Sequence, residues 1–75
     1  MKKEIQEQIG KELSKLRIDH NYDIETLSDK SHISKDTLYK YEKGLGNNLD
    51  TLAKILEAYD INFSIFFGKV YDNMQ

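Results

Sequence analysis

The chain has 75 residues, no cysteine and a formal net charge of −2 at pH 7. A chain of this length is expected to form one small domain over residues 1–75, and without cysteine it can hold neither a disulfide nor thiolate-bound zinc. No apolar run approaches the roughly 20 residues that span a bilayer, and the charged amino terminus lacks the apolar segment of a signal peptide, so we expect a cytoplasmic protein without membrane contact.

The first predicted helix runs from Lys3 to about His20. Apolar residues recur along it at i, i+4, i+8 and i+11, the spacing of one buried helix face: Ile5, Ile9, Leu13 and Leu16. Gly10 lies beside this stripe, where glycine costs about 1 kcal/mol of helix propensity relative to alanine. A close approach by another helix would explain the glycine.

The stretch from residue 23 to residue 44 predicts two short helices joined by a tight turn. Asp23 and Ser34 can each cap a helix, because short polar side chains accept the unpaired amide hydrogens of a first turn. The predicted helices cover residues 24–31 and 35 to about 43, and Gly44 can end the second. Their shared apolar side would be formed by Leu27, Ile33, Leu38 and Tyr41.

Two further helices are predicted after this pair. Asn47 or Asn48 can cap the first, whose apolar face would consist of Leu49, Leu52, Ile55, Leu56 and Tyr59. Asn62 can cap a short fifth helix from Phe63 to about Gly68, followed by a polar tail over residues 69–75. This segment carries more large apolar side chains than so short a helix can bury. We therefore expect Phe66 and Ile61 to close the core and an aromatic patch to stay outside.

The third helix has a polar face at helical spacing, opposite Leu38 and Tyr41, formed by Lys35, Asp36, Tyr39, Lys40 and Lys43. Lysines on an exposed helix suit the phosphates and base edges of a DNA groove, and from Lys30 to Lys43 the lysines outnumber the acidic residues. The alternative is an ordinary solvated face, because any surface helix carries such charges.

A series of short motifs stands in order along the chain: Leu16-Arg17, Leu27, Ile33-Ser34, Leu38, Tyr41-Glu42-Lys43-Gly44, Leu49-Asp50-Thr51-Leu52, Ile61-Asn62 and Phe66-Phe67. With these motifs the chain resembles the Cro-like, phage-repressor-like helix-turn-helix regulators, also called the xenobiotic-response-element family, over about residues 9–67. The resemblance implies an all-α fold, a compact five-helix bundle of the lambda-repressor-like DNA-binding type, with residues 68–75 as a tail.

The resemblance also implies which residues would contact DNA. The amino end of the third helix enters the major groove in this motif, which predicts base contacts from Lys35, Asp36, Tyr39 and Lys40. Phosphate contacts are expected from Ser34, Thr37 and Lys43. In the family, the residues matching Arg17 and Glu42 form an ion pair between the first helix and the end of the third. Two positions depart from the pattern, since Ile24 replaces a glutamine that commonly contacts phosphate and His32 replaces a turn glycine.

The favoured interpretation is a sequence-specific DNA-binding transcriptional regulator. By default it would be a repressor that binds a palindromic operator as a homodimer, because one recognition helix contacts only a few base pairs. The aromatic patch would form the dimer interface through Phe63, Phe67 and Tyr71. The expected partners are double-stranded DNA and a second copy, with room for a regulatory protein but no domain for a small-molecule ligand.

The alternative is a protein-interaction or antitoxin-like module of the same fold with weak or no DNA binding, which the acidic net charge, Ile24 and Asp36 favour. An enzyme is not expected, because the chain has no glycine-rich phosphate loop, no cysteine nucleophile and no histidine with an evident partner. Neither His20 nor His32 belongs to a ligand pattern, so no catalytic residue, metal or cofactor is expected.

Overall fold

The computed structural model describes residues 2–75, which contain five α-helices and no strand. The helices are α1 (Lys3–Asp19), α2 (Ile24–Ser31), α3 (Lys35–Glu42), α4 (Leu49–Glu57) and α5 (Phe63–Asn73). They form a body of 33 × 20 × 19 Å in which α1 packs against both α3 and α5, while α2 packs against α3 and α4. The all-α, five-helix prediction is therefore confirmed.

Short polar side chains set the start of four helices. The cap oxygens of Asp23, Ser34, Asn48 and Asn62 accept hydrogen bonds from the amide three residues on, at 2.7, 3.3, 3.0 and 2.9 Å respectively. These caps were predicted, and of the two candidates before α4 the structure uses Asn48. His32 ends α2 with a left-handed φ of 59°, as its turn position requires.

The core is built from apolar side chains of all five helices and of the turns after α2 and α4: Ile9, Leu13, Leu16, Leu27, Ile33, Leu38, Tyr41, Leu52, Ile55, Leu56, Tyr59, Phe66 and Val70. Phe66 closes it as predicted, with Ile61 partly buried against it. The prediction for Leu49 is wrong, because its side chain is exposed. It lies about 70° around α4 from the centre of the buried face, in the first turn of the helix.

The carboxyl-terminal segment differs from its prediction. The fifth helix does not stop near Gly68, and residues 69–73 are helical rather than part of a tail. The reason is tertiary, since the Val70 side chain is fully buried and Met74 packs against the core. Asn73 Nδ2 also donates a hydrogen bond of 3.1 Å to Oε1 of Glu12, a carboxylate on α1 that is only 3% exposed. This contact fixes the end of α5 along α1.

Gly10 marks where α1 touches the end of α3. A Cβ atom at this position would lie 2.6 Å from both Glu42 O and Gly44 N, closer than any side chain allows. Gly44 itself has φ of 79°, and a Cβ there would lie 2.9 Å from Gln6 O. The close approach predicted at Gly10 is therefore confirmed, and it sets the distance between α1 and α3.

Candidate nucleic-acid interface

The four predicted base-contacting residues share one face of α3. Lys35, Asp36, Tyr39 and Lys40 are all exposed, whereas Leu38 and Tyr41 on the opposite side are buried. Lys43 is exposed directly after the helix. The local fold thus exposes two lysines, a carboxylate and a phenol together on one face of a short helix, whose opposite face is buried in the core.

The capping hydroxyl at the start of α3 determines which group can donate outward. Ser34 Oγ accepts from Thr37 N at 3.3 Å and donates to Thr37 Oγ1 at 3.0 Å. The Ser34 proton is therefore used inside the cap, while the proton of the half-buried Thr37 hydroxyl stays available. Of the two hydroxyl groups among the three predicted phosphate contacts, that of Thr37 is the better donor.

An ion pair links the starts of α2 and α3 and was missed by the sequence analysis. Lys35 Nζ lies 3.2 Å from Glu25 Oε1, with the two side chains 49% and 71% exposed. A pair so exposed contributes only about 0.2–1 kcal/mol to stability. Its main effect is to keep the Lys35 ammonium group beside Glu25. The helix-turn-helix geometry brings these first turns together, which is the signal that could have predicted the pair.

Arg17 connects three parts of the chain behind this face. Its Nε and Nη2 atoms donate to the two carboxylate oxygens of Glu42 at 2.8 and 3.2 Å, and Nη1 donates to the carbonyl of Tyr22 at 3.2 Å. The hydrogen bonds to Glu42 raise the pKa of Arg17, against a smaller opposing effect of burial. The end of α1 and the turn before α2 are thereby tied to the end of α3.

The loop between α3 and α4 is held by side chains whose roles the sequence did not reveal. Tyr41 Oη accepts from Asn48 N at 3.0 Å and donates to Asn48 O at 3.1 Å. Gln6 Nε2 donates to the carbonyl of Gly46 at 3.0 Å, and a Cβ at Gly46 would clash with the Tyr41 ring. The loop that follows Lys43 therefore has a defined path.

Two observations limit the charge of the interface. Ile24, at the position of a phosphate-contacting glutamine, is half-buried against the core and offers no polar group. The negative charge of Glu42 is neutralised by Arg17. The remaining charged side chains on and beside α3 are three lysines and two carboxylates: Lys35, Lys40, Lys43, Asp36 and Glu25. The face is therefore locally positive although the chain as a whole is acidic.

The predicted dimer residues lie along one side of α5. Phe63 and Tyr71 are exposed and Phe67 is half-buried, with the Phe63 and Phe67 ring centroids 5.8 Å apart. Within residues 2–75, no group of three or more His, Cys, Asp or Glu side chains could hold a metal ion. In the same range, no helix is long and apolar enough to cross a membrane.

Comparison with known proteins agrees with this geometry. A helix-turn-helix family model of the Cro type matches residues 13–66, so the chain belongs to the Cro-like helix-turn-helix family, as the sequence motifs indicated. The chain is also similar to a predicted HTH-type transcriptional regulatory protein of Methanothermobacter thermautotrophicus, with 42% identity over 48 residues. The matched region covers 64% of this chain but only 15% of the length of that relative.

Proposed function

We propose that this protein is a sequence-specific DNA-binding regulator of transcription that inserts α3 into the major groove. The observation that carries the proposal is the exposed polar face of α3, held from behind by the Arg17–Glu42 ion pair. Membership of the helix-turn-helix family and the similarity to a regulatory protein support it. The protein acts by binding alone, without catalysis, and in the compartment that holds the DNA, the cytoplasm.

The chemistry of the α3 face assigns a role to each side chain. Lys35 and Lys40 can donate to guanine O6 and N7, while the Asp36 carboxylate can accept from cytosine N4. Tyr39 lies between them and can contact a base edge or a thymine methyl group. Thr37 and Lys43 donate to phosphates, with Ser34 fixing the Thr37 hydroxyl, and these contacts set the register of the helix on the duplex.

The same proposal includes a homodimer that represses by occupying a palindromic operator. Two copies related by a two-fold axis can place their α3 helices in successive major grooves, about 34 Å apart. Two half-sites double the number of phosphate contacts, which compensates for a net charge of −2 on each chain. Occupation of a promoter is enough to block it, so repression needs no further machinery.

Selection of binding sites from random double-stranded DNA tests the proposal. We expect an enriched palindrome whose affinity falls steeply as salt rises, because each lysine–phosphate contact releases a counterion. The selected site should be bound at least about a thousandfold more tightly than random DNA. Failure to enrich any sequence, together with no binding to random duplex at low salt, would overturn the proposal.

A second candidate function is that of an interaction module that keeps the fold without binding DNA. It is favoured by the acidic carboxylates at the α3 face, Asp36 and Glu25, and by the apolar Ile24 at a phosphate-contact position. Under this alternative, a regulatory protein would be captured by the exposed α3 face. This alternative would be selected if the unmodified protein binds no DNA and Tyr39→Ala no longer captures the regulatory protein.

A further inference from the structure

Glu25 carries a negative charge at the edge of the proposed DNA interface, where the fold does not require one. It is the second residue of α2, and its side chain is 71% exposed. The start of α2 is already capped by Asp23, whose carboxylate accepts a hydrogen bond from Thr26 N at 2.7 Å. An acidic residue in a first turn favours a helix only modestly, whereas the phosphates of a bound duplex would repel it. Folding alone therefore gives no strong reason for a carboxylate at this position.

Glu25 pairs with the first residue of α3. Its Oε1 atom accepts a hydrogen bond of 3.2 Å from Lys35 Nζ. A pair this exposed adds little to stability, because water screens both charges and both side chains lose rotamer freedom. What the pair does set is the direction of a long side chain at the end of α3 that enters the major groove in the proposed function.

A lysine ammonium by itself discriminates poorly among the groups that DNA presents. It has three N–H donors on a flexible four-carbon chain, and phosphate oxygens, adenine N7, thymine O4 and guanine all offer acceptors. When Glu25 takes one donor, two remain, and guanine is the base with two neighbouring acceptors, O6 and N7, on its major-groove edge. The Glu25 carboxylate also opposes the approach of Lys35 to a phosphate, since it repels the same anion.

We propose that Glu25 is a positioning residue for base recognition, which holds the Lys35 ammonium group where it donates to guanine rather than to phosphate. This role rests on the proposed function and deepens it by naming what sets the base preference of Lys35. Glu25 then sharpens the choice of sequence and lowers the affinity for every sequence, because the duplex repels its charge. A carboxylate beside the α3 face thus has a use in a DNA-binding protein.

Glu25→Gln separates these two effects, because it keeps the size of the side chain and removes the charge. The affinity for random duplex should rise about tenfold, and the salt slope should steepen by about one, as the freed Lys35 turns to phosphate. Discrimination at the base pair that Lys35 contacts should fall about tenfold. Lys35→Ala identifies that base pair, and binding isotherms for the selected site and its three variants at that position measure the discrimination.

Two comparisons show whether Glu25 acts through Lys35. Asp29→Asn removes the same charge one turn further along α2, from an exposed residue that forms no salt bridge within the described residues 2–75. It should leave the discrimination unchanged. In a Lys35→Ala background, Glu25→Gln should not change the discrimination either, because the group that Glu25 positions is gone. A direct contact between Glu25 and a base would still be detected there.

The outcomes separate this role of Glu25 from the function on which it rests. If the unmodified chain selects a site and Glu25→Gln discriminates as sharply, Glu25 does not position Lys35 and DNA binding stands. An equal loss in Asp29→Asn, or a loss that persists without Lys35, also overturns the proposal. If no sequence is enriched, the proposed function fails and the role of Glu25 fails with it. All of these changes are at exposed side chains, so circular dichroism should show the same helical fold in every variant.

Discussion

Arg17 and Glu42 are joined by two hydrogen bonds in a fork, with Nε and Nη2 of the guanidinium facing the two carboxylate oxygens at 2.8 and 3.2 Å. Their side chains are 22% and 11% exposed, so water screens the pair only partly. The pair joins α1 to the last residue of α3, which makes it a support for the orientation of α3 rather than a part of the exposed face.

The first prediction follows from this partial burial. Arg17→Met alone should cost about 1–3 kcal/mol of unfolding free energy, because the Glu42 carboxylate loses its partner in a poorly solvated place. Adding Glu42→Leu should restore part of that loss, since the double variant leaves no lone charge. Urea unfolding of the unmodified protein, the two single variants and the double variant gives the coupling energy between Arg17 and Glu42. The exposed Lys35–Glu25 pair is the control and should couple by less than about 1 kcal/mol. No coupling between Arg17 and Glu42 would contradict the prediction.

The second prediction concerns a phenol with no partner. Tyr59 Oη is buried and makes no hydrogen bond within residues 2–75, and burial, followed by the charge of Glu42, raises the pKa of Tyr59. Tyr59→Phe should therefore be neutral or stabilise the fold by up to about 1 kcal/mol, measured by urea unfolding. Tyr41→Phe is the matched control. It should destabilise, because Tyr41 Oη makes two hydrogen bonds to Asn48.

Alkaline pH extends the test of Tyr59. Because its folded-state pKa lies above the unfolded value of about 10, the stability linked to this group is present below pH 10 and is lost as the pH rises through the folded-state pKa. The unmodified protein should therefore lose stability above about pH 10 faster than Tyr59→Phe. Parallel pH profiles of the two proteins would count against burial of the phenol.

The third prediction separates base contacts from phosphate contacts on DNA. Lys35→Ala should reduce discrimination at one base pair of the selected site by about 1–3 kcal/mol, whereas Lys43→Ala should weaken all sequences alike and lower the salt slope by about one. Lys69→Ala removes the same charge from α5 instead and should change neither the base discrimination nor the salt slope. Binding isotherms over a salt series measure all three, and an identical pattern for Lys35→Ala and Lys43→Ala would refute the assignment.

The fourth prediction uses the cap of α2. The amide hydrogen of Thr26 bonds to the Asp23 carboxylate and lowers the pKa of Asp23. A lowered pKa gives stability that is complete above the unfolded value of about 3.9 and is lost as the pH falls through the folded-state pKa. Asp23→Asn keeps a capping oxygen without the charge, so its stability should depend less on pH between about 4 and 2. Urea midpoints measured across this interval check the sign.

Local chemistry explains why so much of the fold could be predicted. Asp23, Ser34 and Asn62 cap helices through atoms three residues away, and their side chains suffice to identify each start. The end of α5 could not be predicted in this way. Val70 and Asn73 are helical because α1 lies beside them, and α1 is far away in the sequence.

In the candidate site, too, the features set by local sequence could be predicted and those set by tertiary contacts could not. The exposed face of α3 follows from helical spacing alone, so Lys35, Asp36, Tyr39 and Lys40 were found together. The Lys35–Glu25 pair and the hydroxyl contacts of Tyr41 arise only when separate elements meet. For the same reason, a propensity argument identified Gly10 as unusual, but only the three-dimensional structure shows that the backbone of Glu42 and Gly44 approaches it.

The hydrogen bond between Asn73 and Glu12 has a consequence for synthesis on the ribosome. The partners stand 61 positions apart, so α1 emerges long before the helix that covers it. A nascent chain can already form α2 and α3 while the inner side of α1 still lacks Phe66 and Val70. We therefore expect the orientation of α3 to become fixed only after translation has passed the end of α5, because α1 packs against both helices.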